Sequence, residues 1–479
     1  MGMSTATTVL YAMFARTQEG KGEIQPSGNF ILCYCHAILS LATAGRLLST
    51  KGVYYVVCFI LGGNSWFFSQ EGRVFFSADG FIRAHARGKM DFCGQDDVLG
   101  TLFGRFQSHF GRKATWLSRA PGRLEILGNH TDYNQGTVLS AAIDRYARVA
   151  VAENPDSTDG MCCRIYDVKA NSSRKFRLDT LDRHRDRDWS NYIKGIVCEF
   201  NALGYSVPPF DMLVTGNVPL SAGMSSSAAL EMAVVKALDA LCGSKLDWLS
   251  MARIGQGSEN NYVGANTGLM DQFSSLMGKA GQLIYSDFRS LTVSNVPMPE
   301  GTAFVVANSH VKHNLANEYN ERREACEKAA EILGVPALRD ATPEMLENAR
   351  GRMDDVVYRR ALHVVGEINR VEEGRLALGR GDVKAFGRLM TISHKSSMDN
   401  FENSCPELDA LVEIGQSLPG FLGARLSGGG FGGITVHLVE ADAATAYAAA
   451  LGAEFARRTG IETEPMILNA ADGAELFRA

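Results

Sequence analysis

Residues 216–243 read GNVPLSAGMSSSAALEMAVVKALDALCG. A β-type run ends at Val218, a loop of small residues follows, and Leu230, Val234, Leu238 and Leu241 then recur at helical spacing. The serine run therefore lies at a helix N-terminus, where unpaired N–H groups and the positive end of the helix dipole attract anions. Small side chains at Ser221, Ala222 and Gly223 let the backbone approach a phosphate chain closely, and the hydroxyls of Ser225, Ser226 and Ser227 can bond phosphate or Mg²⁺. Taken alone, the stretch also fits an ordinary Ser-capped helix after a glycine turn.

Other phosphate-type strings are decoys. No G-x-x-x-x-G-K-[ST] occurs, so a Walker-type loop is absent. HRDRDWSN (184–191) satisfies a protein-kinase catalytic-loop pattern but lacks the accompanying V-A-I-K strand and D-F-G, and reads as a charged turn. GGGFGG (428–433) satisfies G-x-G-x-x-G, yet it leads into the strand-like ITVHLV, whereas a dinucleotide fold needs a helix there.

Phosphoryl transfer needs a metal, an oriented hydroxyl and charge stabilisation more than a covalent nucleophile. Glu259, in the helical LSMARIGQGSENNYVG, precedes GLMDQF, which sets Asp271 at a Gly-led turn. A carboxylate at Asp271 can orient or deprotonate a sugar hydroxyl, and Glu259 with Ser227 can hold Mg²⁺. A second cluster, RAPGRLEILGNHTDYNQG (119–136), packs Arg123, Asn129, His130, Asp132 and Tyr133 into a Gly-punctuated loop. Such dense donors and acceptors suit a polyhydroxylated ligand, although TDYNQG also fits a plain polar turn.

The 479 residues, 46% hydrophobic and 21% charged with net charge −5, suit a soluble globular protein of two domains plus an extra segment. No polybasic field points to nucleic acid or an anionic membrane. Ten cysteines scattered without regular spacing fit a reducing cytoplasm better than a disulfide scaffold.

Residues 1–89 read differently. The apolar runs NFILCYCHAILSLATAG (29–45) and GVYYVVCFILGG (52–63) lack helical or strand periodicity, and the second is too short to cross a bilayer. No basic start precedes them, as a secretory signal requires, and Cys33, Cys35 and His36 lack a second ligand pair for zinc. The favoured reading takes Met90 as the true start, with a spurious or poorly ordered extension upstream and an amphipathic helix in MDFCGQDDVLGTLFGRFQSHFG.

Together, APGRLEILGNHTDYN, GNVPLSAGMSSSAALE, TGLMDQFSSLMG, VKHNLANEYNERREACE, SCPELD and LSGGGFGGITVHLV resemble the galactokinase branch of the GHMP kinases, from about residue 115 onward. The resemblance implies an α+β fold of two domains, 90–299 and 300–479, with the active site in the cleft between them. It implies ATP-dependent phosphorylation of a hexose, galactose first, at its anomeric hydroxyl, by a cytoplasmic monomer. Asp271 corresponds to the catalytic base and Arg123 to its charge partner. Asn129, His130, Asp132, Tyr319 and the Gly268 backbone would line the sugar site. Ser227 and Glu259 would take Mg²⁺, and Trp189, Tyr192, Pro219, Met224 and the serine loop would bind ATP. The departure is Asn129, where the family carries Glu facing the sugar's C6 hydroxyl; Asn would tolerate a hydroxyl or a carboxylate there. The alternatives are a kinase of galacturonate or N-acetylgalactosamine, or a catalytically silent sugar sensor. Against the sensor, the phosphate loop and Asp271 are both intact.

Overall fold

The computed structural model describes residues 59–61, 64–68, 74–77 and 95–479, apart from 158–159, 183–187, 221–222, 266 and 312–314. The chain divides into two compact units, Met1–Phe92 and Cys93–Ala479. Within the first, β1 (Phe59–Leu61), β2 (Asn64–Phe68) and β3 (Val74–Ser77) pair as an antiparallel meander. The sequence carries no alternation there, but aromatic and β-branched residues favour paired strands whatever their pattern. The apolar run 29–45, the Cys33, Cys35 and His36 cluster and the start at Met90 lie outside the described residues.

The second unit opens with α1 (Gln95–Phe110), whose Leu102 and Phe106 are buried against Leu117, Ala150 and Leu213. Burying a side chain the size of Phe106 contributes about 1.5–3 kcal/mol. Two long strands, β4 (Trp116–Leu127) and β5 (Thr137–Glu153), then form a hairpin around the loop 128–136. The free edge of β5 is shared: its first residues pair with β9 (Gln282–Asp287) and its last with β8 (Phe210–Gly216). Beyond these lie β6 (Cys162–Asp167) and β7 (Ser172–Arg177) on one side and β10 (Thr292–Pro297) on the other. Helices α2 (Ser190–Ala202), α3 (Ser226–Cys242), α4 (Trp248–Gly257) and α5 (Met270–Met277) pack together, with α3 on β4 and β5. The alanines of α3 let it approach closely enough for Ser118 Oγ on β4 to donate to the Ala233 carbonyl.

A second antiparallel sheet is built from β11 (Thr302–Asn308), β12 (Phe421–Ser427), β13 (Ile434–Glu440) and β14 (Met466–Leu468), in the order β12-β13-β11-β14. Its helices are α6 (Leu315–Leu333), α7 (Pro343–Ala349), α8 (Asp355–Gly379), α9 (Val383–Ser396), α10 (Pro406–Gln416) and α11 (Ala444–Thr459). The glycine loop 428–433 does lead into a strand, β13. Within Cys93–Ala479 one apolar core joins Leu124, Val149 and Met232 to Val306, Phe386 and Val436. Finally β15 (Glu475–Arg478) returns to pair with β4. Among the described residues no helix is long and apolar enough to cross a membrane, and Cys162, Cys163, Cys198, Cys242, Cys326 and Cys405 are free thiols.

Candidate active site

The register of β4 shifts between Pro121 and Arg123. Proline has no N–H for the ladder, and Arg123 N turns instead to the Met224 carbonyl at 3.1 Å. A Cβ on Gly122 would collide with that carbonyl, so only glycine lets the phosphate loop reach the strand. The Arg123 side chain then ties three segments together: Nε donates to Asp271 Oδ1 at 2.7 Å and Nη1 to the Gly223 carbonyl at 2.5 Å. Asp271 sits in the first turn of α5. Its other oxygen, Oδ2, accepts from Ser225 Oγ, and Ser225 is the left-handed residue (φ 51°) that starts α3. A partly exposed carboxylate thus stands between a buried guanidinium and the serine run at a helix N-terminus.

Ser225, Ser226 and Ser227 are half-buried there, Met224 is buried, Pro219 is partly exposed, and Ser221 and Ala222 lie outside the described residues. Glu259 lies in a π-helical segment (Ser258–Val263) that widens the turn after α4. Its carboxylate accepts from Thr267 Oγ1 at 2.7 Å, Gln272 Nε2 at 3.2 Å and the Ser227 hydroxyl, and burial raises its pKa. A hydroxyl beside an oriented carboxylate is an all-oxygen donor set, which fits Mg²⁺ completed by substrate phosphates. Trp189 and Tyr192 flank the start of α2; the Trp189 indole N–H is buried without an acceptor among the described residues, and the Tyr192 carbonyl accepts from Ser258 Oγ at 2.9 Å.

The sugar loop meets this cluster from the other side. Asp132, in a 3₁₀ turn (Asp132–Asn134), lies against Gly268, where any Cβ would strike its carboxylate. Burial, reinforced by the charges of Glu125 and Asp271, raises the Asp132 pKa to about 6. Tyr319 on α6 lies beside His130, the rings tilted by 40° with centroids 5.1 Å apart, and feels the charges of Asp132, Asp271 and Glu125. His130 is neutral, its pKa lowered to about 4 by burial. Its Nε2–H donates to the Gly429 carbonyl at 3.1 Å, which leaves Nδ1 to accept from the Tyr133 hydroxyl at 3.0 Å. Asn129 is likewise committed: Nδ2 donates to Glu125 Oε1 and the Gly428 carbonyl, and Oδ1 accepts from Asn403 Nδ2, each at 2.8 Å. The sequence places both side chains at the sugar site; in the structure both make these bonds to protein groups.

The structure therefore brings Arg123, Asp271, Asp132, Gly268 and Tyr319 together, with Ser227 and Glu259 adjoining. Sequence reading missed Glu125, Arg425, Glu367 and Asn403, which form the wall behind Asn129. Strand alternation was the available signal for Glu125, since it places Glu125 and Arg123 on one face of β4.

Comparison with known proteins points the same way. The profile of the galactokinase galactose-binding signature matches residues 104–153, that of the GHMP kinases N terminal domain residues 191–279, and that of the GHMP kinases C terminal residues 375–457. A galactokinase of Roseiflexus sp. (strain RS-1) is 38% identical over 380 residues, covering 78% of this chain and 96% of that protein. A galactokinase of Homo sapiens is 41% identical over 344 residues, 71% of this chain and 87% of that protein. The crystal structure of Lactococcus lactis galactokinase complexed with galactose superposes with a TM-score of 0.74 at 30% identity, covering 79% of this chain and 99% of that one. A mevalonate kinase at 16% identity and a TM-score of 0.52 shares the fold. The chain belongs to the galactokinase branch of the GHMP kinase family and is a sugar kinase, a phosphotransferase with an alcohol acceptor.

Proposed function

We propose that this chain transfers the γ-phosphoryl group of ATP to the anomeric hydroxyl of galactose, giving galactose 1-phosphate and ADP. The observation that carries the reading is the Asp271 carboxylate, held between Arg123 Nε and Ser225 Oγ at the foot of the serine loop. In this reading Asp271 takes the O1 proton, O1 bonds to the γ-phosphorus, and the bond from that phosphorus to the β,γ-bridging oxygen breaks. Arg123 stabilises the negative charge growing on O1 while holding Asp271 in place. The N–H groups at the start of α3 cradle the triphosphate, with Trp189 and Tyr192 beside the base. Ser227 and Glu259 would hold Mg²⁺, which when bound neutralises phosphate charge. Asp132, Tyr319 and the Gly268 backbone hold the sugar hydroxyls, and His130 fixes the loop that carries Asp132. Residues 90–299 and 300–479 supply the two halves of this machinery, and the enzyme works in the cytoplasm.

The test is a phosphoryl-transfer screen with MgATP across galactose, galacturonate, N-acetylgalactosamine, arabinose and glucose. Galactose should lead every other sugar by about tenfold or more in kcat/KM. A preference for another sugar, or galactose binding without transfer, would overturn the reading.

A further inference from the structure

The amide of Asn129 is 1% exposed and both of its N–H groups and its carbonyl oxygen are taken by protein partners. It has no donor left to recognise a ligand. The carboxylate it holds is Glu125, two residues after Arg123 on the same face of β4. Glu125 Oε1 accepts a hydrogen bond from Asn129 Nδ2 at 2.8 Å and forms an ion pair with Arg425 Nη2 at 3.1 Å. Among the described residues no donor reaches its Oε2. The charge of Glu125 is nonetheless felt by Asp132 and Tyr319, so its carboxylate stands within electrostatic reach of the sugar-side groups.

Behind Glu125 the charges are balanced. Arg425 is fully buried between Glu125 and Glu367, and Glu367 also accepts from Arg370 Nε, Ser393 Oγ and Gly128 N. Two guanidinium groups thus match two carboxylates in charge; Arg425 pairs with both by charge alone, and the carboxylates are held in one geometry by the hydrogen bonds from Asn129, Arg370, Ser393 and Gly128. That rigidity is what a specificity contact needs.

We propose that Glu125 is the specificity-determining carboxylate of the sugar site, its Oε2 accepting a hydrogen bond from one sugar hydroxyl, and that Asn129 is a positioning residue that clamps Oε1. This rests on the galactose kinase reading and extends it. A fixed carboxylate at this wall accepts a hydroxyl and repels an anionic substituent, by more than about 10²-fold in binding for unit charges about 4 Å apart. The Asn at 129 therefore does not open the site to sugar acids.

The full-length parent and Glu125→Gln are compared for binding and turnover of galactose, of galactoses lacking a single hydroxyl, and of galacturonate. In the parent, one deoxygalactose should bind about tenfold or more weaker than galactose. In Glu125→Gln that penalty should collapse to about twofold, the galactose KM should rise about tenfold with kcat little changed, and the other deoxy penalties should stay put. Unchanged deoxy penalties, or a uniform fall in kcat for every sugar, would overturn the proposal. Should Glu125→Gln fail to fold, Asn129→Ala keeps the charge but loosens its clamp. The same single penalty should then shrink while galacturonate stays excluded; an unchanged penalty overturns the proposal equally. Turnover of galactose by the parent tests the underlying reading, and the contrast between parent and variant tests this one.

Discussion

The phosphate end and the sugar end of the site draw on the chain differently. Toward the phosphates, Gly223, Ser225 and Ser227 come from one loop and helix start, and Glu259, Thr267 and Asp271 from one short stretch. Toward the sugar wall, Glu125 and Asn129 meet Asn403, Arg425 and Gly428 from the far half of the chain, with sequence separations of 274 between Asn129 and Asn403 and 299 between Asn129 and Gly428. The first arrangement joins two short stretches, which Arg123 ties together across sequence separations of 100 and 148. The second places a specificity group by packing the two halves together, so the sugar end can change its reader while the chemistry stays intact.

The sharpest way to separate the ends is Asp271→Asn. It keeps the Arg123 and Ser225 contacts in shape but removes the proton acceptor, and kcat should fall about 10²-fold or more with galactose affinity retained. Near-normal turnover in a single-turnover assay would remove Asp271 from the mechanism.

At the other end, Asn129→Glu looks like a return to the family pattern, but here it would set a second carboxylate where an amide now lies 2.8 Å from Glu125 Oε1. The charge balance behind Glu125 has no cation to spare, and the expected loss is about 3 kcal/mol of stability. The coupled pair raises its own pKa, so this loss is present at neutral pH and recovers as the pH falls and the pair takes up a proton. Thermal melts against pH, with and without Glu125→Gln, read it out; an unaltered melting temperature would show the two positions to be uncoupled.

The smallest effect expected is on Asp132, whose pKa is raised to about 6 by burial. Below that pH the carboxyl is protonated and no longer accepts from a sugar hydroxyl, so kcat/KM for galactose should drop by about tenfold per pH unit on the acid side. The sign for the fold is opposite: a raised carboxyl pKa favours the unliganded protein at low pH, and that contribution is lost as the pH rises through about 6. The acid limb should vanish in Asp132→Asn, and its persistence would assign it to another group.

These contrasts also explain what could be read in advance. The serine loop, Arg123 and Asp271 were legible because each lies in a contiguous motif whose glycines and small residues announce a close backbone approach. The α+β class came with the resemblance those motifs carry, and the mixed sheets and helices of the structure agree with it. Alternation with Arg123 could have placed Glu125 on the site face, but its partner was hidden, because Arg425 sits fully buried about 300 residues away. His130 and Asn129 stand in the loop 128–136, but their bonds to Gly429 and Gly428 depend on a loop that reads locally only as glycine-rich. The meander β1–β3 escaped because three short strands leave too little alternation to detect.

The pairing of β15 with β4 joins residues at least 356 positions apart, the separation of Arg119 and Glu475. During synthesis, therefore, the sheet that carries Arg123 keeps an unpaired edge until residues 475–478 have left the ribosome, and a nascent chain truncated before residue 475 exposes that edge to other chains.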